Sequence, residues 1–483
     1  MTSKQDFKRI TPYIWELPRE HHPQMRVPAR VYGSAQVLEM AFRDKSIEQL
    51  INVATLPGIL KYAMAMPDVH QGYGFPIGGV AAFDYDRGII SPGGVGYDIN
   101  CGVRMLASFI EAEEIAPYLD ALNLALYQHC PSGVGEGSAV HASQKDLEAI
   151  LVQGAEWAVK HGYGTRADLE RTEDGGRIPG ARVEAVPKRA WERGLTQVGS
   201  LGSGNHFLEI DVVDEVYDAD VADVFGLRRG SIVVQIHCGS RGLGHEVCGQ
   251  YLRQMQDAPR KYGFSIADRE LVAAPVDSPE GQNYLAAMAA AANYAFANRQ
   301  VLAHQVRRTF EQVLAGKVRN WELHQVYDVA HNIAKIEEHT VEGRKVKAVV
   351  HRKGATRAFA PGHPALPGVY RVTGQPVLVP GSMGTASYVL VGTEKAMQET
   401  FGSSCHGAGR MMSRNQATRE RHGAEVREEL RQQGILVQTG SLKGLAEEAP
   451  EAYKDVDLVV ESVVGAGIAR KVARVRPLAV IKG

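Results

Sequence analysis

Short apolar runs separated by glycine and proline fill the first quarter of the chain, and this pattern predicts β-strands joined by tight turns. We expect strands at 32–40, at 78–83 and in the run that ends at 103–106. A β-branched apolar run at 231–237 predicts a buried strand that opens into a polar loop. Beyond Val456, strand-like runs alternate with turns.

Two stretches carry apolar residues at helical spacing. One amphipathic helix is expected over 144–160, where Ser143 caps the first turn and Asp146 follows three residues later. A longer, alanine-rich helix is expected from about 279 to 314, opened by a cap residue, a first-turn proline and an acidic residue. Its alanine face predicts close packing inside the protein. That face consists of Ala286, Ala289, Ala290 and Ala297.

Other stretches bear on domain organisation. Residues 161–190 mix glycine, arginine and glutamate with little periodicity, which predicts a long exposed loop to which we assign no chemistry. A length of 483 residues by itself favours two or three domains. No internal repeat or low-complexity linker is found, however, so the sequence favours one interwoven body.

Composition and charge limit the class of protein. With 44% hydrophobic and 23% charged residues, the chain has the composition of a soluble globular protein. We find no apolar run that could span a membrane and no signal peptide, and therefore expect a cytoplasmic protein without membrane contact. The five cysteines are scattered, which argues against a disulfide framework. Lys plus Arg (54) nearly equals Asp plus Glu (55), so any site for a polyanion must be local.

Asp98 and Cys101 lie three residues apart in a glycine-rich turn at 96–102. Their side chains can converge on one point, and a thiolate with a carboxylate is a ligand pair for transition metals. A turn aspartate beside a buried thiol is the alternative interpretation.

Three histidines lie next to buried-looking segments. His206 follows a glycine/serine loop that suits phosphate, His237 ends the β-branched run, and His331 lies in a polar segment at 328–332. Each of them alone also fits an ordinary structural histidine. Taken with the carboxylate and the thiol at 96–102, they form a mixed set of nitrogen, oxygen and sulfur donors that could serve two metal ions. Such a set suits manganese, zinc or iron better than magnesium, and two-metal sites typically serve phosphoryl or nucleotidyl transfer.

A further histidine, His406, is flanked by small residues and followed by Arg410 and Arg414. Small neighbours leave an imidazole open to attack an α-phosphate, and guanidinium groups neutralise the developing charge. A turn histidine with surface arginines is the alternative. A second small-residue loop at 380–388 offers hydroxyl groups to a phosphate or a purine, and a rigid turn at 66–74 holds an aspartate and a histidine.

In this order, the motifs resemble those of the RtcB family of RNA ligases, and the resemblance spans nearly the whole chain. The segments at 199–209 and 406–410 carry most of it, and those at 98–102 and 328–332 agree. The resemblance implies an α+β fold in which a single catalytic domain over 1–483 forms one interwoven body. Mixed β-sheets would surround a central metal cleft, with helices on the flanks.

The resemblance also implies roles for individual residues. Cys101 would bridge two manganese ions, and His406 would be the nucleophile that carries GMP. The other metal ligands would be Asp98, His206, His237 and His331. Contacts to GTP or GMP would come from Asn205, His206, Glu209, His331, Asn332, Ser382, Ser387, His406, Gly407, Ala408, Gly409, Arg410, Tyr453 and Lys482. Candidates near the RNA end would be Asp68, Arg241 and Arg414.

The implied activity is GTP-dependent RNA ligation in tRNA splicing or RNA repair. RNA ends with a 2′,3′-cyclic phosphate or a 3′-phosphate would be joined to 5′-hydroxyl ends through a guanylylated histidine and an RNA(3′)pp(5′)G intermediate. An archease-type activator is a candidate partner. A binuclear phosphodiesterase that only hydrolyses is the nearest alternative, since its metal ligands would look the same. A non-catalytic RNA-binding module is another, although the basic excess typical of that class is missing.

Overall fold

The computed structural model of the protein describes residues 2–133 and 140–483. The strands are β1 (Lys8–Thr11), β2 (Ile14–Leu17), β3 (Ala29–Tyr32), β4 (Ala63–His70), β5 (Ile77–Asp84), β6 (Ile89–Ile90), β7 (Gly102–Glu111), β8 (Phe207–Val216), β9 (Ser231–Cys238), β10 (Ala274–Pro275), β11 (His324–Ala330), β12 (Asn332–Val341), β13 (Arg344–Lys353), β14 (Ala355–Arg357), β15 (Pro376–Val379), β16 (Ser387–Gly392), β17 (Ser403–Cys405), β18 (Leu436–Thr439) and β19 (Ala469–Lys482).

The described chain contains helices, most of which lie between groups of strands. They are α1 (Ala35–Ala41), α2 (Ser46–Val53), α3 (Ala112–Ile115), α4 (Leu119–His129), α5 (Gln144–Gln153), α6 (Ala155–Lys160), α7 (Arg166–Glu170), α8 (Lys188–Gly194), α9 (Ala219–Phe225), α10 (Arg241–Gln254), α11 (Ala258–Lys261), α12 (Pro279–Leu314), α13 (Glu394–Thr400), α14 (Arg414–Glu420), α15 (Gly423–Gln432), α16 (Leu442–Glu447) and α17 (Val456–Gly465). None of the described helices is long and apolar enough to cross a membrane.

Two large mixed sheets form the body of the protein. The seven-stranded sheet has the order β1-β2-β3-β4-β5-β13-β12, and the eight-stranded sheet has the order β11-β7-β9-β8-β19-β16-β15 with β18 beside β19. Only β3–β4 and β18–β19 are parallel pairs among the described strands of these sheets. Two short pairs, β6–β10 and β14–β17, complete the sheets. The predicted α+β fold with mixed sheets in a single body is confirmed.

The long helix α12 is the largest helical element of the core. Ser278 caps it by accepting the Gly281 N–H at 3.1 Å, as its sequence predicts. The alanine face is buried, and the helix packs against α4, α5, α6, α10 and β9. Because alanine has a small side chain, these neighbours approach the helix axis closely on several sides at once.

Antiparallel pairing brings several strand ends together at one end of the eight-stranded sheet. Strands β7 and β8 begin there and β9 and β11 end there, because Gly102 pairs with both Cys238 and Ala330, and Phe207 pairs with His237. Between β11 and β12 the chain leaves this sheet and enters the seven-stranded one. Residues that are far apart in the sequence therefore meet where the two sheets adjoin.

Some predicted elements are wrong. The strand expected at 32–40 is the end of β3 followed by helix α1, which Ser34 caps by accepting the Val37 N–H at 3.3 Å. Beyond Val456 the chain first forms helix α17 and only then the single long strand β19. In both cases the apolar run is too short to distinguish the periodicity of a helix from that of a strand. The capping residue favours the helix.

The helix expected over 144–160 is two helices, although Ser143 does cap the first of them. Gly154 separates them at φ +61°, and a Cβ at this position would lie 2.1 Å from the carbonyl oxygen of Gly176. The exposed loop expected at 161–190 is also wrong, because this segment contains α7, the first turn of α8 and the buried residues Asp168 and Glu173. Its polar side chains find buried partners more than a hundred residues away in the sequence.

Candidate active site

Cys101 lies at the centre of the predicted metal site. Its Sγ lies 3.5 Å from His206 Nε2 and 3.2 Å from His237 Nε2. His206 Nε2 lies 2.7 Å from Asp98 Oδ2, and His237 Nε2 lies 3.2 Å from His331 Nε2. All five predicted ligands thus come together as two groups of three that share the thiol.

The donor set fits a pair of transition-metal ions. One group consists of Asp98, Cys101 and His206, and the other of Cys101, His237 and His331. Sulfur and imidazole nitrogen donors with a single carboxylate suit manganese, iron or zinc. Three protein ligands for each ion leave coordination positions for substrate oxygens, as in catalytic metal sites. His206 also donates from Nδ1 to the Leu201 carbonyl at 2.9 Å, which directs its Nε2 toward the other donors.

The electrostatics of the protein alone favour the neutral form of three of the five candidate ligands. Burial, together with the nearby Asp98 carboxylate, raises the pKa of the Cys101 thiol to about 12. Burial and the neighbouring histidines lower the pKa of His237 and of His331 well below the ordinary value, so both rings stay neutral. A neutral imidazole is the form that binds metals, and a bound cation would reverse the shift of the thiol.

Arg299 of α12 fixes the backbone on both sides of this group. Its Nη1 donates to the Asn100 carbonyl at 2.7 Å and to the Cys238 carbonyl at 2.8 Å. Nε of the same guanidinium pairs with Asp328 at 2.9 Å, and Asp328 also pairs with Arg104 at 2.8 Å. These charged side chains are fully buried, so the helix holds two ligand-bearing segments through paired charges and hydrogen bonds.

His406 follows β17 and lies beside the metal group. Its ring centroid is 5.0 Å from that of His331. Its Nδ1 lies 2.5 Å from Asp68 Oδ2, and the same oxygen accepts the His406 backbone N–H at 2.8 Å. The neighbouring Gly354 leaves space for the ring, because a Cβ there would lie 3.0 Å from His406 Cε1. The contact of Nδ1 with Asp68 therefore fixes the orientation of the imidazole ring.

One cleft of about 790 Å³ contains these groups. It is lined by residues of both large sheets and of the loops between them. The predicted site residues along its wall are Asp98, Cys101, Asn205, Glu209, His237, His331, Asn332, Ser382, His406, Gly407, Ala408, Gly409, Arg410, Arg414, Tyr453 and Lys482. Metal donors, the candidate nucleophile and most of the predicted nucleotide contacts thus share one cleft.

A charged network forms part of this wall. Arg410 Nη1 donates to the Tyr453 hydroxyl at 3.1 Å, and that hydroxyl donates to Glu448. Arg414 Nε lies 3.2 Å from Glu448 Oε1. Burial lowers the pKa of Lys482, which faces the Glu448 carboxylate. Strand β19 brings this lysine to the cleft by pairing it with Phe207, the residue after His206.

Four of the predicted site residues lie just behind the cleft wall. His206 is a member of the metal group, and Asp68 contacts His406. Ser387 accepts the Gly381 N–H at 3.0 Å and so shapes the 380–388 loop. Arg241 has φ +56°, and its Nε lies 3.4 Å from Ser200 Oγ, beneath the glycine/serine loop.

Sequence reasoning missed some residues of this site. Glu448, at 1% exposure, is the common partner of both arginines and the tyrosine. Lys454 donates from Nζ to the Pro67 and Val69 carbonyls, on either side of Asp68. Glu448 belongs to an acidic run that looks like a solvated helix end, and the lysine binds only backbone atoms. Neither pattern gives a local signal in the sequence.

Comparison with known proteins decides the family. A family model described as tRNA-splicing ligase RtcB matches residues 49–483. The chain belongs to the RtcB family. A protein named tRNA-splicing ligase RtcB from Thermococcus kodakarensis is 57% identical over 476 residues, which cover 99% of this chain and 98% of the relative. A protein of the same name from Archaeoglobus fulgidus is 54% identical over 476 residues, again 99% of this chain and 98% of the relative.

A bacterial member of the RtcB family is similar as well. The protein named RNA-splicing ligase RtcB from Mycobacterium bovis is 51% identical over 438 residues, which cover 90% of this chain and 100% of the relative. The RtcB match at 49–483 contains every site residue predicted from the sequence, from Asp68 to Lys482. The resemblance inferred from the motifs is confirmed, and so is the expectation that the chain is an enzyme.

Proposed function

We propose that this chain is a GTP- and manganese-dependent RNA ligase that acts in tRNA splicing or RNA repair in the cytoplasm, with a single catalytic domain over 1–483. It joins RNA 2′,3′-cyclic phosphate or 3′-phosphate ends to 5′-hydroxyl ends. The names of the relatives support RNA ligation. The observation that carries the mechanism is the ring of His406, which Asp68 holds at 2.5 Å and which lies 5.0 Å from the ring of His331.

The first step of the proposed reaction is nucleophilic attack by His406. Asp68 accepts the Nδ1–H, which leaves the lone pair on Nε2. Nε2 attacks the α-phosphorus of GTP, the N–P bond forms, and the bond to pyrophosphate breaks. The carboxylate then stabilises the positive charge that the ring gains when Nε2 is substituted.

The remaining steps pass the GMP to RNA. A 2′,3′-cyclic end first takes up water and becomes a 3′-phosphate. An oxygen of this phosphate attacks the phosphorus on His406, the N–P bond breaks, and RNA(3′)pp(5′)G forms. The 5′-hydroxyl of the second RNA end attacks the RNA phosphorus and loses its proton, GMP leaves, and a 3′,5′-phosphodiester results.

Asp98, Cys101, His206, His237 and His331 would hold the two manganese ions. When bound, such ions polarise phosphoryl oxygens and neutralise the charge that develops in phosphoryl transfer. The residues around the ions have a separate task. Arg410 and Lys482 offer positive charge to phosphate, and Glu209 offers a carboxyl group to the N–H donors of guanine.

The deciding experiment is labelling with GTP that carries the label on its α-phosphate. With manganese, the protein is expected to form an acid-labile protein–GMP adduct, and His406→Ala is expected to form none. A phosphodiesterase that only hydrolyses would bind the metal but give no adduct. Adduct that persists in His406→Ala would place GMP on another residue and refute this mechanism. Ligation over several turnovers, with and without an archease-type activator, tests the proposed partner.

A further inference from the structure

Three rings lie together in the wall of the cleft: Tyr73, Tyr97 and His245, which we name the aromatic trio. The rings of Tyr73 and Tyr97 have centroids 5.8 Å apart at an interplanar angle of 72°. Those of Tyr97 and His245 are also 5.8 Å apart, at 32°. Within the described part of the chain, these rings contact only one another among aromatic and cationic groups.

The backbone at Tyr73 and Tyr97 is held in place beside the metal group. Tyr97 directly precedes the ligand Asp98, whose Oδ1 accepts the Ser240 N–H at 3.0 Å. The preceding Gly96 has φ +100° and donates to the Pro92 carbonyl at 2.9 Å. Tyr73 is fixed by the buried ammonium of Lys353, which donates to its carbonyl at 2.6 Å. A platform that is already ordered loses little conformational entropy when a ligand binds to it.

Despite this support, the central ring of the trio remains open to the cleft. Tyr97 is 38% exposed, and His245 is exposed as well. In the ranges 2–133 and 140–483, the hydroxyls of Tyr73 and Tyr97 have no hydrogen-bond partner in the protein. Single exposed aromatic residues are common on protein surfaces. Three neighbouring rings, next to a metal group and inside the same cleft, present instead a ring face of Tyr97 bordered by two further rings to whatever occupies that cleft.

We infer that the aromatic trio stacks on the terminal nucleobase of an RNA end, a role that rests on the proposed function. The ends to be joined are unpaired, and an unstacked base is recognised by stacking on aromatic side chains, whatever its identity. The guanine of GTP needs directional hydrogen bonds, for which Glu209 offers a carboxyl group, while Arg410 and Lys482 offer positive charge to the phosphates. Among the described residues, the trio makes no hydrogen bond or ring contact with these three side chains.

The test separates RNA binding from the reaction with GTP. Tyr97→Ala is expected to raise the KM for RNA ends roughly 10-fold or more, because one base–aromatic stack is lost. Manganese-dependent labelling of His406 by GTP is expected to keep its rate and its KM for GTP. Tyr97→Phe keeps the ring and is expected to restore the KM for RNA. Phe109→Ala, which removes a ring of 39% exposure outside this cleft, serves as the control for fold and stability.

An abasic nucleotide provides the second arm of the experiment. Placed at the 3′-phosphate end or at the 5′-hydroxyl end, it removes the base but leaves the backbone. At the end that the trio binds, the abasic nucleotide is expected to raise the KM of the wild-type protein for RNA as much as Tyr97→Ala does. In the Tyr97→Ala variant it is expected to have little additional effect on this KM. The inference would be overturned if the abasic nucleotide and Tyr97→Ala had additive effects on the KM for RNA at both ends. An unchanged KM for RNA or a raised KM for GTP in Tyr97→Ala would overturn it as well. Absence of labelling in wild type would instead refute the proposed function itself.

Discussion

One oxygen of Asp68 holds both the ring and the backbone of His406, at 2.5 Å from Nδ1 and 2.8 Å from the main-chain nitrogen. The carboxylate thereby sets which ring nitrogen bears the proton and where the other one points. Its second oxygen has no hydrogen-bond partner among the described residues. Besides His406, the carboxylate accepts only the N–H of the next residue, Gly407, at 3.3 Å among the described residues, so its hydrogen bonds all go to the 406–407 segment.

Asp68→Asn is expected to slow guanylylation of His406 by roughly 100-fold or more, because an amide can present N–H to Nδ1 and favour the wrong tautomer. The rate of protein–GMP formation in single turnover measures this. Because the same position also faces the His406 backbone N–H, an amide nitrogen placed there no longer accepts from the main chain, and the thermal midpoint is expected to fall slightly as well. Labelling of the Asp68→Asn protein at the wild-type rate would show that the tautomer is set elsewhere.

Cys101→Ser is expected to weaken manganese binding by roughly 10-fold or more, since one thiolate belongs to both groups of ligands. Titration of the metal-free protein with manganese, followed by calorimetry, measures the affinity. Cys248→Ser is the matched control, because Cys248 is also a buried thiol but contacts the Pro92 carbonyl instead. Equal affinities of both variants would contradict the bridging role.

Arg299→Met is expected to lower the free energy of unfolding by roughly 3 kcal/mol, because it leaves the Asn100 and Cys238 carbonyls and part of the Asp328 charge without a partner. Urea denaturation measures the loss. Arg308→Met, on the same helix at a side-chain exposure of 58%, is expected to change stability by less than about 0.5 kcal/mol. Comparable losses in the two variants would argue against a special role for Arg299.

Asp211 is fully buried on β8, two residues beyond Glu209. Its titration is expected to make the free energy of unfolding depend on pH. Burial raises the pKa of Asp211 from its ordinary value of 3.8 to about 7. Because the folded state then binds more protons than the unfolded state, this group's contribution is greatest below pH 3.8 and is lost as the pH rises through about 7. Asp211→Asn should keep the hydrogen bond that Gln235 donates and should remove this pH dependence of stability.

The expected result is that Asp211→Asn is more stable than wild type at pH 8, by roughly 1 kcal/mol or more, and loses this advantage at low pH. Urea denaturation of both proteins across the range measures the difference. A difference that is constant at all pH values would show that the pKa of Asp211 is the same in the folded and the unfolded states, and would contradict this prediction.

The sequence was most informative where a local rule decides the structure. The Ser143 and Ser278 caps and the β-branched strand before His237 depend only on neighbouring residues, and these predictions are confirmed. The metal-ligand candidates also come together as predicted, since each lies in its own short motif. Their residue types suggested that they could serve two metal ions together, whereas the role of each residue was implied only by the family resemblance.

The failed predictions involve partners that are distant in the sequence. Residues 161–190 look polar and exposed, yet Glu173 accepts the Ala330 N–H at 3.1 Å and pairs with Lys335, so its charge is compensated inside the protein. Gly154 breaks a helix because of the carbonyl of Gly176, which the periodicity of 144–160 does not reveal. Burial of a charge depends on its partner, and a single sequence does not identify partners.

Strand β19 lies inside the eight-stranded sheet, between β8 and β16, and carries Lys482 to the cleft. The sheet cannot close, and the cleft cannot be completed, before this strand takes its place. During synthesis, residues 98–406 leave the ribosome well before residue 482 does. A nascent chain can therefore hold every predicted metal ligand and His406 before the wall of the cleft that contains them is complete. The order of the strands thus makes completion of this cleft a late event in the folding of the chain.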